Sequence, residues 1–150
     1  MVRCWEWTGA TASGTSGGYA AISRSLGYGD HFIHRTGHSL GGALATLCAL
    51  DVQYNFPDKQ VSCYTFGSPK VGNSYFKDSF NKRVPQTYRF VNSADTVPAL
   101  PPGGFEHVGI FQHIGPTASV VESLIDKVLD VVDDHFPYNY IKSLQEFFNK

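Results

Sequence analysis

Ser39 is the residue of this chain best suited to act as a nucleophile, because it stands in the run Gly37-His38-Ser39-Leu40-Gly41. A serine hydroxyl is a weak nucleophile and needs a base and a fixed, exposed position. A G-x-S-x-G run supplies the position where it joins a strand to a helix. Gly37 and Gly41 carry no Cβ, so the two elements can meet in a sharp turn with the serine at its apex. Five residues with three of them fixed recur by chance; the surroundings narrow the reading. Phe32-Ile33 leads in as an apolar strand, and Gly41-Gly42-Ala43-Leu44-Ala45 leads out as a small-residue helix start that can pack closely on the turn. The free N–H groups of that helix start favour developing negative charge. The Leu40 N–H, next after the nucleophile, is the expected oxyanion donor.

Such a serine is followed in the chain by an acid and then a histidine. Asp95 lies four residues past Val91, just beyond the end of an expected strand, where the acid belongs. Asp51, Asp58 and Asp78 fall on helices or their flanks and read as solvated charges. His135 is the favoured base, since Asp133-Asp134 and Phe136-Pro137 put it in a loop between two helices. His107 and His113, on an expected strand, remain open as alternatives. His38 adjoins the serine, but the turn aims its side chain elsewhere, so it reads as packing. No set of histidines and carboxylates has metal-ligand spacing, and no metal is expected. The glycine-rich run at residues 8–18 lacks a Gly-Lys-Ser/Thr ending and is not read as a phosphate loop.

The elements that must position these residues follow from apolar periodicity. Residues 1–30 are rich in Gly, Ser and Thr and read as linker or loop, with a short helix conceivable at 19–26. From residue 31 onward, the spacing predicts a short strand that begins at 32–33 and runs into the serine turn, a helix at 42–54, a strand at 61–66 and a helix at 73–80. Strands at 87–91 and 105–114 follow, then helices at 118–132 and 138–148. Strands alternating with helices imply an α/β fold, a mainly parallel sheet with flanking helices.

Composition excludes other classes. Twelve Lys and Arg against thirteen Asp and Glu leave a net charge of −1 with no basic stripe, so nucleic acid is not an expected partner. Cys4, Cys48 and Cys63 fit neither a disulfide framework nor a zinc site; the last two read as small buried hydrophobes. No apolar run reaches the roughly 18 residues of a membrane span. Residues 1–9 hold no apolar stretch of signal-peptide length.

Four ordered segments resemble one family. Thr36-Gly37-His38-Ser39-Leu40-Gly41-Gly42-Ala43-Leu44-Ala45 is similar, almost letter for letter, to the nucleophile segment of the class 3 lipases, the fungal-lipase-like α/β-hydrolases. Tyr64-Thr65-Phe66-Gly67-Ser68-Pro69-Lys70-Val71-Gly72-Asn73 resembles its next signature. Val91-Asn92-Ser93-Ala94-Asp95 with the proline loop after it resembles the acid segment. Asp134-His135 with Tyr138 and Tyr140 resembles the histidine segment, whereas His107-Val108-Gly109 is similar to an element that does not usually supply the base. The match spans about residues 36–148. It implies Ser39, Asp95 and His135 as a triad, an ester substrate, typically an acylglycerol met at a lipid interface, and no cofactor. Family members also have a longer N-terminal half with further strands, a second oxyanion donor and a lid. Residues 1–30 resemble none of this, which implies an incomplete fold with about four recognisable strands in 31–150. The nucleophile strand would then be an exposed sheet edge through which the chain self-associates. His34 and Arg35 stand where the family has buried aliphatics, and a buried unpaired arginine is costly. The alternative implied by those departures is a catalytically dead fragment that associates with itself or with a partner.

Overall fold

The computed structural model describes residues 22–24, 32–116 and 133–149. Five strands form one sheet in the order β1-β2-β3-β4-β5, so each strand lies beside its neighbour in sequence. They are β1 (Ile22–Arg24), β2 (Phe32–His38), β3 (Gln60–Phe66), β4 (Gln86–Asn92) and β5 (Ile110–Ile114). β1 runs antiparallel to β2, and β2 through β5 are parallel. Helix α1 (Leu40–Asn55) connects β2 to β3, and α2 (Ser74–Arg83) connects β3 to β4. Helix α3 (Pro137–Phe148) follows the loop that carries His135.

Alternation along β3 explains the two layers, because successive side chains point to opposite faces. Val61 and Cys63 point to one face, where Ala45, Ala49 and Val52 of α1 pack with Phe80 of α2 and with Val84 and Val108. Burial there pushes the Cys63 thiol up to about 12, so it behaves as a small apolar side chain. Tyr64 and Phe66 point to the other face, against Phe90, Ile114 and Tyr140 of α3. Stacked pairs Tyr64–Tyr88 and Phe66–Phe90 cross from β3 to β4 on that side. Helix α2 starts at an Asn73 cap whose side chain accepts the Phe76 N–H at 3.0 Å.

Three expectations change. The backbone at Ile22–Arg24 is a strand, not part of a helix over 19–26, because its polar groups pair with His34, Arg35 and Thr36. Tertiary pairing overrides a short segment's weak helical preference. For the same reason β2 is not the bare sheet edge along those residues; among the described residues β1 and β5 are the outer strands. The strand expected at 105–114 holds only from Ile110. Gly109 has φ +71°, and a Cβ there would lie 2.5 Å from the Thr87 side chain, so the chain turns at this point. Before it, residues 105–108 form a loop pinned by a Glu106–Gly72 bridge and a Lys77–Glu106 ion pair. The helix expected at 118–132 lies outside the described residues. Arg35 does bring the cost its position implied: its Nε is buried without a hydrogen-bond partner, as is that of Arg89.

Candidate active site

Ser39 sits between the end of β2 and the first residue of α1, with φ +56° and ψ −130°. That conformation is strained for a residue with a side chain, and it persists because both flanks are fixed. The Ser39 N–H donates to Phe66 O at 2.9 Å, and the Ser39 carbonyl accepts from Gly42 N–H at 2.9 Å. The glycines make the turn sterically possible. A Cβ on Gly37 would lie 2.1 Å from the Gly41 carbonyl oxygen, and one on Gly42 would lie 2.7 Å from Ser68 Cβ. Leu40, as first residue of α1, has no intrahelical acceptor for its N–H.

Three side chains from distant parts of the sequence meet at this turn. His135 Nε2 lies 2.8 Å from Ser39 Oγ, and His135 Nδ1 lies 2.9 Å from Asp95 Oδ2. A carboxylate oxygen only accepts, so the ring proton sits on Nδ1 and Nε2 is left to accept from the serine hydroxyl. The Asp95 carboxylate is fully enclosed, whereas His135 is partly open. Oδ1 of Asp95 accepts the Val97 N–H at 2.9 Å, and Tyr140 donates its hydroxyl to Oδ2 at 2.6 Å. Tyr140 in turn accepts the Asn92 N–H at 3.1 Å. Burial and the neighbouring Asp95 raise the Tyr140 hydroxyl well above its ordinary range, which keeps it a donor.

Further bonds tie the acid loop to the histidine loop. Asp134 accepts the Ala94 N–H at 2.9 Å on its carboxylate, and its carbonyl accepts from Asn92 Nδ2 at 3.0 Å. Ser143 of α3 donates to Asn92 Oδ1 at 2.6 Å. Gly67 shows how tightly the parts converge: at φ +58°, a Cβ there would stand 2.8 Å from Asp95 Oδ2 and 3.1 Å from His135 Nδ1.

The other histidines stand elsewhere. His107 donates Nε2–H to the Pro98 carbonyl at 2.7 Å, and His113 makes the same kind of contact with Ser93 O at 3.3 Å. His38 is more than packing. Its Nε2–H donates to the carbonyl of His135 at 2.7 Å. In the sequence His38 read as packing, and Tyr140 and Gly67 entered only as members of segments that resemble the family. Gly67 closed a strand in a Gly-Ser-Pro turn, and only its left-handed φ marks it as special. Among the described residues no group of three or more His, Cys, Asp or Glu could hold a metal, and no helix is long and apolar enough to cross a membrane.

The profile of the lipase (class 3) family matches residues 21–105, more than half of the chain. The chain belongs to the class 3 lipase family. Among its relatives, it is 42% identical over 76 residues to a lipase of Caenorhabditis elegans, covering 49% of this chain and 22% of that protein. It is 36% identical over 110 residues to a chloroplastic phospholipase A(1) of Arabidopsis thaliana, covering 71% of this chain and 24% of that one. The fold is that of a solved triacylglycerol lipase whose catalytic centre is a serine protease triad. There the TM-score is 0.53 at 34% identity, covering 68% of this chain and 45% of the lipase. The chain thus spans about a quarter or less of the two sequence relatives.

Proposed function

We propose that this chain hydrolyses carboxylic esters, acylglycerols foremost, through Ser39, His135 and Asp95. The observation that carries the reading is the unbroken line from Ser39 Oγ to His135 at 2.8 Å and on to Asp95 at 2.9 Å, with the serine at a strained strand-to-helix turn. Membership of a lipase family and the acylglycerol and phospholipid chemistry named for its relatives support the substrate class.

The steps follow from the geometry. His135 Nε2 takes the Ser39 proton as Oγ attacks the ester carbonyl, and Asp95 stabilises the imidazolium. The Leu40 N–H, at the positive end of α1, donates to the oxyanion with one further donor. The alcohol departs with the proton from His135, an acyl-serine remains, and water resolves it by the reverse transfer. Each oxyanion donor contributes about 10²–10³ in rate.

The test is covalent labelling by a fluorophosphonate, read by intact mass and peptide mapping, beside turnover of p-nitrophenyl esters. Stoichiometric label on Ser39, absent from Ser39→Ala, is expected. An ester turnover that survives Ser39→Ala would sink the assignment.

One observation favours a second reading, a catalytically silent chain that self-associates. Leu40, Leu44 and Leu47 form an apolar stripe along α1 and are 53%, 50% and 46% exposed. Light scattering after size exclusion, on the chain and on Leu44→Glu, separates the two. A monomer that labels supports hydrolysis; an unlabelled oligomer that Leu44→Glu dissolves supports association.

A further inference from the structure

His38 precedes the nucleophile in the chain but serves its base. It lies at the end of β2, paired in register with Phe66, and its ring centroid stands 4.7 Å from that of His135 and 5.4 Å from that of Tyr140. Its Nε2 lies 2.7 Å from the backbone carbonyl of His135, which can only accept, so His38 must carry its proton on Nε2. The loop around His135 otherwise joins the sheet through Asp134 and Asn92, on the side of the acid. His38 is the tie on the side of the serine.

We propose that His38 is a positioning residue. The Nε2–H bond to the His135 carbonyl and the ring laid on the His135 ring fix the height of the base above Ser39. This deepens the ester-hydrolase reading and rests on it for its kinetic consequence, though not for its geometry. A tie at the backbone of the base is needed because the base is loop-borne. A displacement of about 1 Å between base and nucleophile is enough to cost roughly a hundredfold in rate.

Charge supports the same role. The titratable groups facing His38 are His135 from the histidine loop, Asp95 from the acid loop and Tyr140 from α3, with His34 on the same face of β2. Burial, first of all, holds His38 below its ordinary value; the bond to the His135 carbonyl opposes this, and the charge of a protonated His135 ring acts with burial. A neutral His38 lets His135 become an imidazolium without a like charge stacked on it. The neighbour of the nucleophile is thus a donor held on Nε2 beside the base.

The test compares His38→Gln, whose amide keeps an N–H at similar reach, with His38→Phe, which keeps the ring and loses the donor. Second-order labelling of Ser39 by a fluorophosphonate is expected to fall about tenfold to a hundredfold in His38→Phe. It should stay within about threefold of the parent in His38→Gln, with KM for p-nitrophenyl esters unchanged in both. Long-range histidine ring ¹⁵N spectra of the parent chain should find the proton of His38 on Nε2. Parent-like labelling by His38→Phe, an equal fall in both variants, or a proton on Nδ1 would each overturn the proposal. A parent chain that never labels defeats the ester-hydrolase reading instead, and the ring spectra alone then decide His38.

Discussion

Replacing Tyr140 by phenylalanine removes a single oxygen from the site, yet that oxygen serves two partners. It donates to Asp95 Oδ2 and accepts from the Asn92 N–H, both in buried surroundings. The variant leaves the Asn92 donor unsatisfied, and a stability loss of about 1–3 kcal/mol is expected in urea unfolding. It also frees Oδ2 for His135 alone, so the fall in ester turnover should be modest and should lie in kcat. A sharper loss is expected from Gly67→Ala. The left-handed φ of +58° and the 2.8 Å approach to Asp95 Oδ2 mean that a methyl group displaces the very pair that orients the base. Fluorophosphonate labelling should drop by about a hundredfold. Residue type, order and local context pointed to Ser39 and Asp95 and favoured His135 over His107 and His113. They did not point to Tyr140 and Gly67, because what singles those two out is a distance between segments.

Elements hold those residues by close approach more than by hydrophobic area. The Gly37–Gly41 contact brings β2 and α1 together with no room for a side chain, so Gly37→Ala should cost at least about 2 kcal/mol or prevent folding, as read by urea unfolding. The loop between β4 and β5 is held differently, by His107 bonded to Pro98. Burial, with Arg89 adding to it, pushes His107 down to about 4 from its usual 6.5. Above about pH 6.5, folded and unfolded chains are both neutral there and His107 makes no difference. Between 6.5 and about 4 the unfolded chain takes up a proton that the folded chain refuses, so stability falls as pH falls. The slope reaches about 1.4 kcal/mol per pH unit at most, and His107→Gln should flatten it in urea titrations over that window. At this scale, strands and helices from β2 through α2 and β4 were legible because apolar periodicity and the Gly, Pro and Asn punctuation agree. The start of β5 was not, since Phe105 to Val108 have strand-like residue types while Gly109 forces the turn. Nor was β1, whose pairing is decided by the open side of β2 rather than by its own three residues.

The described residues form a four-strand parallel core with one short antiparallel strand added to it, in the fold of the class 3 lipases. The family was legible from four ordered motifs. The relation of the motifs to one another in space was not, because 40 residues separate Asp95 from His135 and 96 separate Ser39 from His135. The leucine stripe on α1 belongs to this scale as well. Leu44→Glu is expected to leave thermal stability within about 0.5 kcal/mol, as an exposed substitution should.

The plain order of the strands has a consequence for how the chain comes together. Each strand pairs with its neighbour in sequence across a single connection, so each pairing closes a smaller loop than the one that joins His135 to Ser39. The bond between His135 and Ser39 closes a loop of 96 residues and depends on α3 having docked. Reactivity of Ser39 should therefore emerge last during refolding, after far-ultraviolet circular dichroism has recovered. A fluorophosphonate added at timed intervals would then act as a clock for the final docking step, blind to every partly assembled state before it.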